Sequence, residues 1–237
     1  MTLVEHIGEL RRRLIIAVVA LVIAATAAWV LYPNILTFLK EPYCQVYPKC
    51  PLFTNGPLVG LTLRIQVATY GGLFLSSPVI LWEAWRFVTP GLRRNERRYA
   101  SAFVSSAVTL FAAGAVLAYY IFPHALKFLG SIGGPSLHQI YSPQNYIGLI
   151  LALMVIFGIT FEFPVVLVSL ELVGVLKPAK LASWRRWAIV SLTAFAAIIT
   201  PSGDPFSMLA LAIPLYVFYE VSIVIGKVLL RRRPSSV

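Results

Sequence analysis

Apolar positions in this chain come in long unbroken runs, with neither the alternation of a half-buried strand nor the one-sided stripe of a soluble helix. The runs extend over about residues 14–31, 65–88, 99–122, 146–173, 187–200 and 206–228. They predict six α-helices, most of them near the roughly 20 residues that cross a bilayer. Tyr32-Pro33 closes the first, and an irregular stretch holding Pro42, Pro48, Pro51 and Pro57 leads to the second. The fifth is short: its apolar residues, at about 1.5 Å each, cover roughly 21 Å of a core about 30 Å thick. Thr200-Pro201-Ser202-Gly203-Asp204-Pro205 joins it to the sixth in a tight, shallow hairpin. No internal repeat is evident, which argues against a transporter built from two related halves. The expected fold is all-α, with residues 1–237 forming one six-helix membrane domain.

Composition agrees. Of 237 residues, 59% are hydrophobic and only 12% charged, and the mean hydropathy is +0.81. Soluble chains carry about 25% charged residues. The net charge of +11 would suit a nucleic-acid binder, but its placement argues for topology instead. With the N-terminus inside, 16 of the 20 Lys and Arg lie on the inner side, and Lys40, Lys49, Arg64 and Lys127 lie outside. By the positive-inside rule both termini are cytoplasmic. Arg11-Arg12-Arg13 followed by an apolar run and Ala25-Thr26-Ala27 has the outline of a cleavable export signal. Glu5 and Glu9 precede those arginines, however, so the segment is read as the first spanning helix.

Acidic residues number nine. Glu162 lies deep in the fourth run, just before Pro164, where a charge costs a few kcal/mol unless neutralised, paired or facing a wet cavity. Glu83 and Arg86 can pair across one helical turn. Glu171 and Glu220, nearer the inner ends of their runs, can snorkel or pair with loop arginines. Asp204 suits an Asx-type turn or an N-cap for the sixth helix. Glu9 and Glu96 are single carboxylates among arginines, placed either to relieve repulsion or to receive a cationic ligand. His6, His124 and His138 with one aspartate assemble neither a metal site nor a nucleophile–base pair, and no phosphate-binding loop occurs. An enzyme is not expected, nor a metal, a cofactor or a nucleic-acid partner. Cys44 and Cys50 fall outside, either as a disulfide or as two thiols.

Several blocks, in order along nearly the whole chain, resemble the TatC family, the multispanning signal-receptor subunit of the twin-arginine protein translocase. They are His6-Ile-Gly-Glu-Leu-Arg-Arg-Arg-Leu14, Ser77-Pro-Val-Ile80, Phe87-Val-Thr-Pro-Gly-Leu92 with Asn95-Glu-Arg-Arg98, and Phe157-Gly-Ile-Thr-Phe-Glu-Phe-Pro164. Thr200-Pro201 with Asp204, and Ala212-Ile-Pro-Leu-Tyr216 with Glu220, complete the set. The resemblance implies a non-enzymatic receptor for the twin-arginine signal peptides of folded proteins, in a multimeric complex with single-span TatA and TatB subunits in a prokaryotic cytoplasmic membrane. It implies that Glu9, Glu96, Phe87 and Arg11 contact the signal and that Pro42 holds a functional outer-loop position. It also implies that Glu162, on a concave face, forms an intramembrane partner-helix site with Thr200, Asp204 and residue 208. Met208 departs from the pattern, standing where the family often has a glutamine, and the paired cysteines lie outside it. The competing reading is a proton-coupled secondary transporter or channel using Glu162.

Overall fold

The computed structural model describes residues 3–47, 52–53, 56–88, 100–132, 141–201 and 203–231. Among them the chain is all-helical, in the order α1 (Leu3–Val30), α2 (Tyr32–Val46), α3 (Val59–Val88), α4 (Ala100–Ile132) and α5 (Pro143–Phe161). Then follow α6 (Phe163–Val173), α7 (Pro178–Ser183), α8 (Arg185–Ile199) and α9 (Pro205–Arg231). Five segments are long and apolar enough to cross a membrane: Ile7–Val30, Val59–Phe87, Phe103–Ile132, Pro143–Leu172 and Pro205–Val228. The fifth apolar run of the sequence is α8, too short to stand among them.

The helices depart from the sequence expectation in three places. The stretch read as irregular contains a helix, α2, which runs through Pro42. The third helix continues past Phe122, through Pro123, to Ile132. The fourth run is two helices, α5 and α6, meeting at Glu162. At that junction the Glu162 N–H bonds the Ile159 carbonyl at 3.1 Å, a tightened turn. Pro164 follows in the first turn of α6, where its missing N–H costs nothing.

α5 is the centre of the bundle. Ile147, Ile150, Leu153 and Phe157 are completely buried there, against Phe122 and Leu126 of α4 and Leu211 and Leu215 of α9. In lipid, helices associate through close packing and not by escape from water, so small residues mark the tightest contacts. A Cβ on Gly114 of α4 would stand 2.6 Å from the Phe157 carbonyl oxygen, and one on Gly72 of α3 would stand 2.7 Å from Ala25 Cα. The second contact locks α1 antiparallel to α3. Elsewhere α1 leaves its apolar side chains uncovered, Val22 and Ile23 among them, as a lipid-facing helix does.

α2 caps one end of the bundle, and tyrosines hold it there. Pro42 has no N–H to give the Phe38 carbonyl, and the Tyr119 hydroxyl donates to that oxygen at 3.0 Å. The Tyr146 hydroxyl donates to the neighbouring Leu39 carbonyl at 2.7 Å. Tyr43, Tyr47, Tyr141 and Tyr146 pack ring against ring around these bonds. Burial pushes the Tyr43 phenol above its ordinary range.

Tyr119→Phe should lower stability in detergent by about 0.5–1.5 kcal/mol, the net worth of its hydrogen bond to the Phe38 carbonyl. In a Pro42→Ala background the restored N–H can take that carbonyl, so the same substitution should cost less than half as much. Thermal unfolding of the four proteins measures this, and equal costs in both backgrounds would refute the pairing.

Candidate functional site

At the end of the bundle opposite α2, the register that sets Gly72 against Ala25 carries Arg13 to Glu83, roughly 17 Å along the helices at 1.5 Å per residue. Arg13 is the hub of the cluster formed there. Its Nε donates to Glu9 Oε1 at 3.2 Å, and its Nη2 closes on the same oxygen. Its Nη1 donates to Glu83 Oε2 at 3.1 Å. The side chains are 15% exposed for Arg13, 23% for Glu9 and 10% for Glu83, so these charges interact partly out of water. Arg86, expected to pair with Glu83, is more distant at 3.9 Å and more than half exposed. Arg11 and Arg12 point to solvent, and Phe87 lies half-buried at the end of α3. Glu96 and the arginines around it lie outside the described residues.

Glu162 opens onto a groove of about 250 Å³ between the last turns of α3, the first turns of α4, and α6. Its walls are apolar apart from Glu162 and Ser169, and include Trp85 stacked on Phe103 at 4.5 Å. Glu162 Oε1 is buried and has no hydrogen-bond partner among the described residues. The kink at the α5–α6 junction puts the carboxyl at this opening.

Thr200, Asp204 and Met208 gather instead at the α8–α9 turn. Asp204 is fully buried and caps α9, with Oδ1 accepting from the Ser207 N–H at 2.7 Å. The Thr200 hydroxyl donates to the Ala196 carbonyl at 2.9 Å. Gly203 completes the turn at φ 59°, a conformation glycine adopts without strain. Met208 packs on the main core. None of these three lines the Glu162 groove.

The remaining acids also resolve. Glu220 takes both Nε and Nη2 of Arg185, at 2.7 and 2.9 Å, tying the start of α8 to α9. Glu171 neither snorkels nor pairs. It is completely buried, neither oxygen has a hydrogen-bond partner among the described residues, and its carboxyl fills the space beside Gly226. Sequence reasoning missed Arg13 and the burial of Glu171. The Glu9–Arg13 spacing was the available signal for the first. For the second there was none, because burial there is set by a glycine 55 positions away. Among the described residues no group of three or more His, Cys, Asp and Glu is arranged to hold a metal.

Cys44, near the end of α2, is disulfide-bonded. Cys50, the chain's other cysteine, lies outside the described residues.

Residues 5–214 match the protein family described as "Sec-independent protein translocase protein (TatC)". A protein of that name from Frankia casuarinae is 40% identical over 95% of this chain, which spans 65% of that longer relative. The one from Aquifex aeolicus is 39% identical over 98% of both chains. The crystal structure of the twin-arginine translocase receptor TatC superposes with a TM-score of 0.78 at 38% identity, covering 94% of this chain and 98% of that one.

Alkylation of the denatured protein should leave Cys44 unmodified until a reductant is added, and mass spectrometry should then find two labels. Labelling before reduction would show the disulfide absent.

Proposed function

The chain belongs to the TatC family of Sec-independent protein translocase proteins, and from that premise we propose that it is the signal-receiving subunit of a twin-arginine translocase. The observation that carries the reading is the Glu9 carboxylate, fixed by Arg13 at a helix end and flanked by the outward-pointing Arg11 and Arg12. A paired-guanidinium signal needs carboxylates held in place, because a guanidinium is always charged and its fork fits a carboxylate at two points. The surrounding arginines repel a cationic peptide that fails to reach those acids. Glu96 and Phe87 join Glu9 in this patch, and Arg11 edges it.

Exposed ion pairs contribute only about 0–1 kcal/mol each. The signal's apolar segment therefore supplies much of the affinity by entering the membrane beside the bundle. Partner subunits with a single span, of the TatA and TatB type, dock at the Glu162 groove and along the α8–α9 hairpin, with Thr200, Asp204 and Met208 shaping the turn. In this reading residues 1–237 form one membrane domain in a prokaryotic inner membrane, as part of a multimeric complex. α8 is a sixth, shallow span, and both termini face the cytoplasm. Pro42 and a Cys44–Cys50 disulfide stiffen the outer cap. The transporter alternative needs successive polar steps across the bilayer, whereas the groove walls around Glu162 are nearly all apolar.

A labelled twin-arginine signal peptide should bind the purified protein at least tenfold more tightly than its twin-lysine counterpart, because lysine offers no bidentate fork. Glu9→Gln and Glu96→Gln should each weaken binding, and the double variant should abolish the arginine preference while its melting temperature stays within a few degrees. Full affinity in the double variant would refute the assignment.

Glu162→Ala should leave peptide affinity unchanged and reduce site-specific crosslinking to TatA- and TatB-type subunits. An unaltered crosslinking pattern would remove Glu162 from the docking site.

A further inference from the structure

We propose that Arg64, at the end of the bundle capped by α2, anchors the phosphate group of a membrane phospholipid, which in the topology given above belongs to the outer leaflet. The inference needs only that the chain spans a bilayer, and it is independent of the assignment of Glu9. Arg64 stands in the second turn of α3. Its Nη2 donates to the Trp29 carbonyl at 3.2 Å, an oxygen that Pro33, lacking an N–H, cannot satisfy in the helical register. Its guanidinium lies 4.6 Å from the centre of the Trp29 ring and 5.4 Å from that of Tyr32. Ring faces attract a cation but do not neutralise it.

The countercharge is what the protein does not supply. Arg64 forms no ion pair among the described residues, and its buried Nε has no acceptor there. The acids read as lying on that side, Glu41 and Asp204, are engaged elsewhere, one against the Tyr119 hydroxyl and the other capping α9. An uncompensated guanidinium at the edge of the hydrocarbon is costly, so it favours whatever brings it an anion. Arg64 is partly exposed. With one bond of Nη2 spent on Trp29, Nη1 and the second N–H of Nη2 are left as a fork, the shape that takes two oxygens of a phosphate.

The surroundings select a lipid as the source of that phosphate. Val30 and Leu31 follow Trp29 on the chain, Leu61 and Ile65 flank Arg64 on α3, and all four are more than 40% exposed. They offer acyl chains an apolar surface beside the headgroup, from which a free anion gains nothing. Trp29 and Tyr32 are of the residue types that gather at headgroup depth.

The test is photocrosslinking of the full chain in vesicles of phosphatidylglycerol and a phosphate-free galactolipid in equal amounts. A photoreactive amino acid replaces Leu61, one turn before Arg64, or Val22, on the lipid-facing stretch of α1. Adducts at position 61 should favour phosphatidylglycerol over the galactolipid by about fivefold or more, typical of one charge-assisted contact, and those at position 22 should follow the mixing ratio. Arg64→Gln should bring position 61 down to the ratio seen at position 22, and Arg64→Lys, a charge without a fork, should fall between. If Arg64 only ties α3 to the end of α1, position 61 shows no preference in the unaltered protein, which would overturn the proposal. A preference that survives Arg64→Gln would overturn it as well. Excess inorganic phosphate should leave the preference intact, and its loss would show a site for free phosphate and overturn the lipid assignment. Should Arg64→Gln not fold, the comparison of positions 61 and 22 in the otherwise unaltered chain, with and without inorganic phosphate, still decides.

Discussion

Hydrocarbon offers no hydrogen bonds, so a chain that crosses it has to satisfy its own backbone, and helices are the local way to do so. Several polar side chains in this bundle obey the same constraint. Four buried hydroxyls return their protons to carbonyls one turn back along the chain: Ser76 to Gly72, Ser169 to Val165, Thr200 to Ala196 and Ser222 to Phe218. Where proline removes a donor, another group is brought in, as the Tyr119 hydroxyl is for the Phe38 carbonyl above Pro42. The outer cap is therefore a consequence of backbone accounting as much as of aromatic packing.

Close helix approach is the second consequence. Apolar side chains gain little by leaving lipid for one another, so contact depends on glycine and alanine surfaces. The Gly72–Ala25 contact sets the register of α1 on α3, and that register delivers Arg13 to Glu83. Packing in the membrane thus determines the electrostatics at its edge. The Gly114–Phe157 contact does the same for α4 on α5, where it places the α5–α6 junction behind the groove that Glu162 opens onto.

The spans themselves were legible because transfer free energy depends on composition, and runs such as 206–228 state it directly. The blocks that resemble the family are likewise short and local, so they could be read from the sequence directly. What escaped was non-local. α2 was hidden because proline lowers helix propensity, and the carbonyl that Pro42 leaves without a donor is met by the hydroxyl of Tyr119, far along the chain. The division of the fourth run at Glu162 was signalled by Pro164, but a proline announces a perturbation without fixing where the helix breaks. Thr200, Asp204 and Met208 were grouped with Glu162 by analogy, and the fold places them at the α8–α9 turn. The pairing of Arg13 with Glu83 depends on a helix–helix register that no single segment contains.

These relations separate the acids of the bundle into two kinds. Glu9, Glu83 and Glu220 meet arginines at hydrogen-bond distance. Glu162 and Glu171 lie within the kinked α5–α6 pair and have oxygens that meet no donor among the described residues. A carboxylate already engaged by arginine is shaped for arginine, and it discriminates between cations by how well they replace the one in place. A carboxyl without a donor in apolar surroundings costs several kcal/mol if charged, so it favours whatever brings it a partner. The second kind, at Glu162, faces an apolar groove, while at Glu171 the α9 backbone at Gly226 already occupies that place. Glu171 is therefore committed to the bundle's own packing, and Glu162 is the intramembrane acid left with an open face.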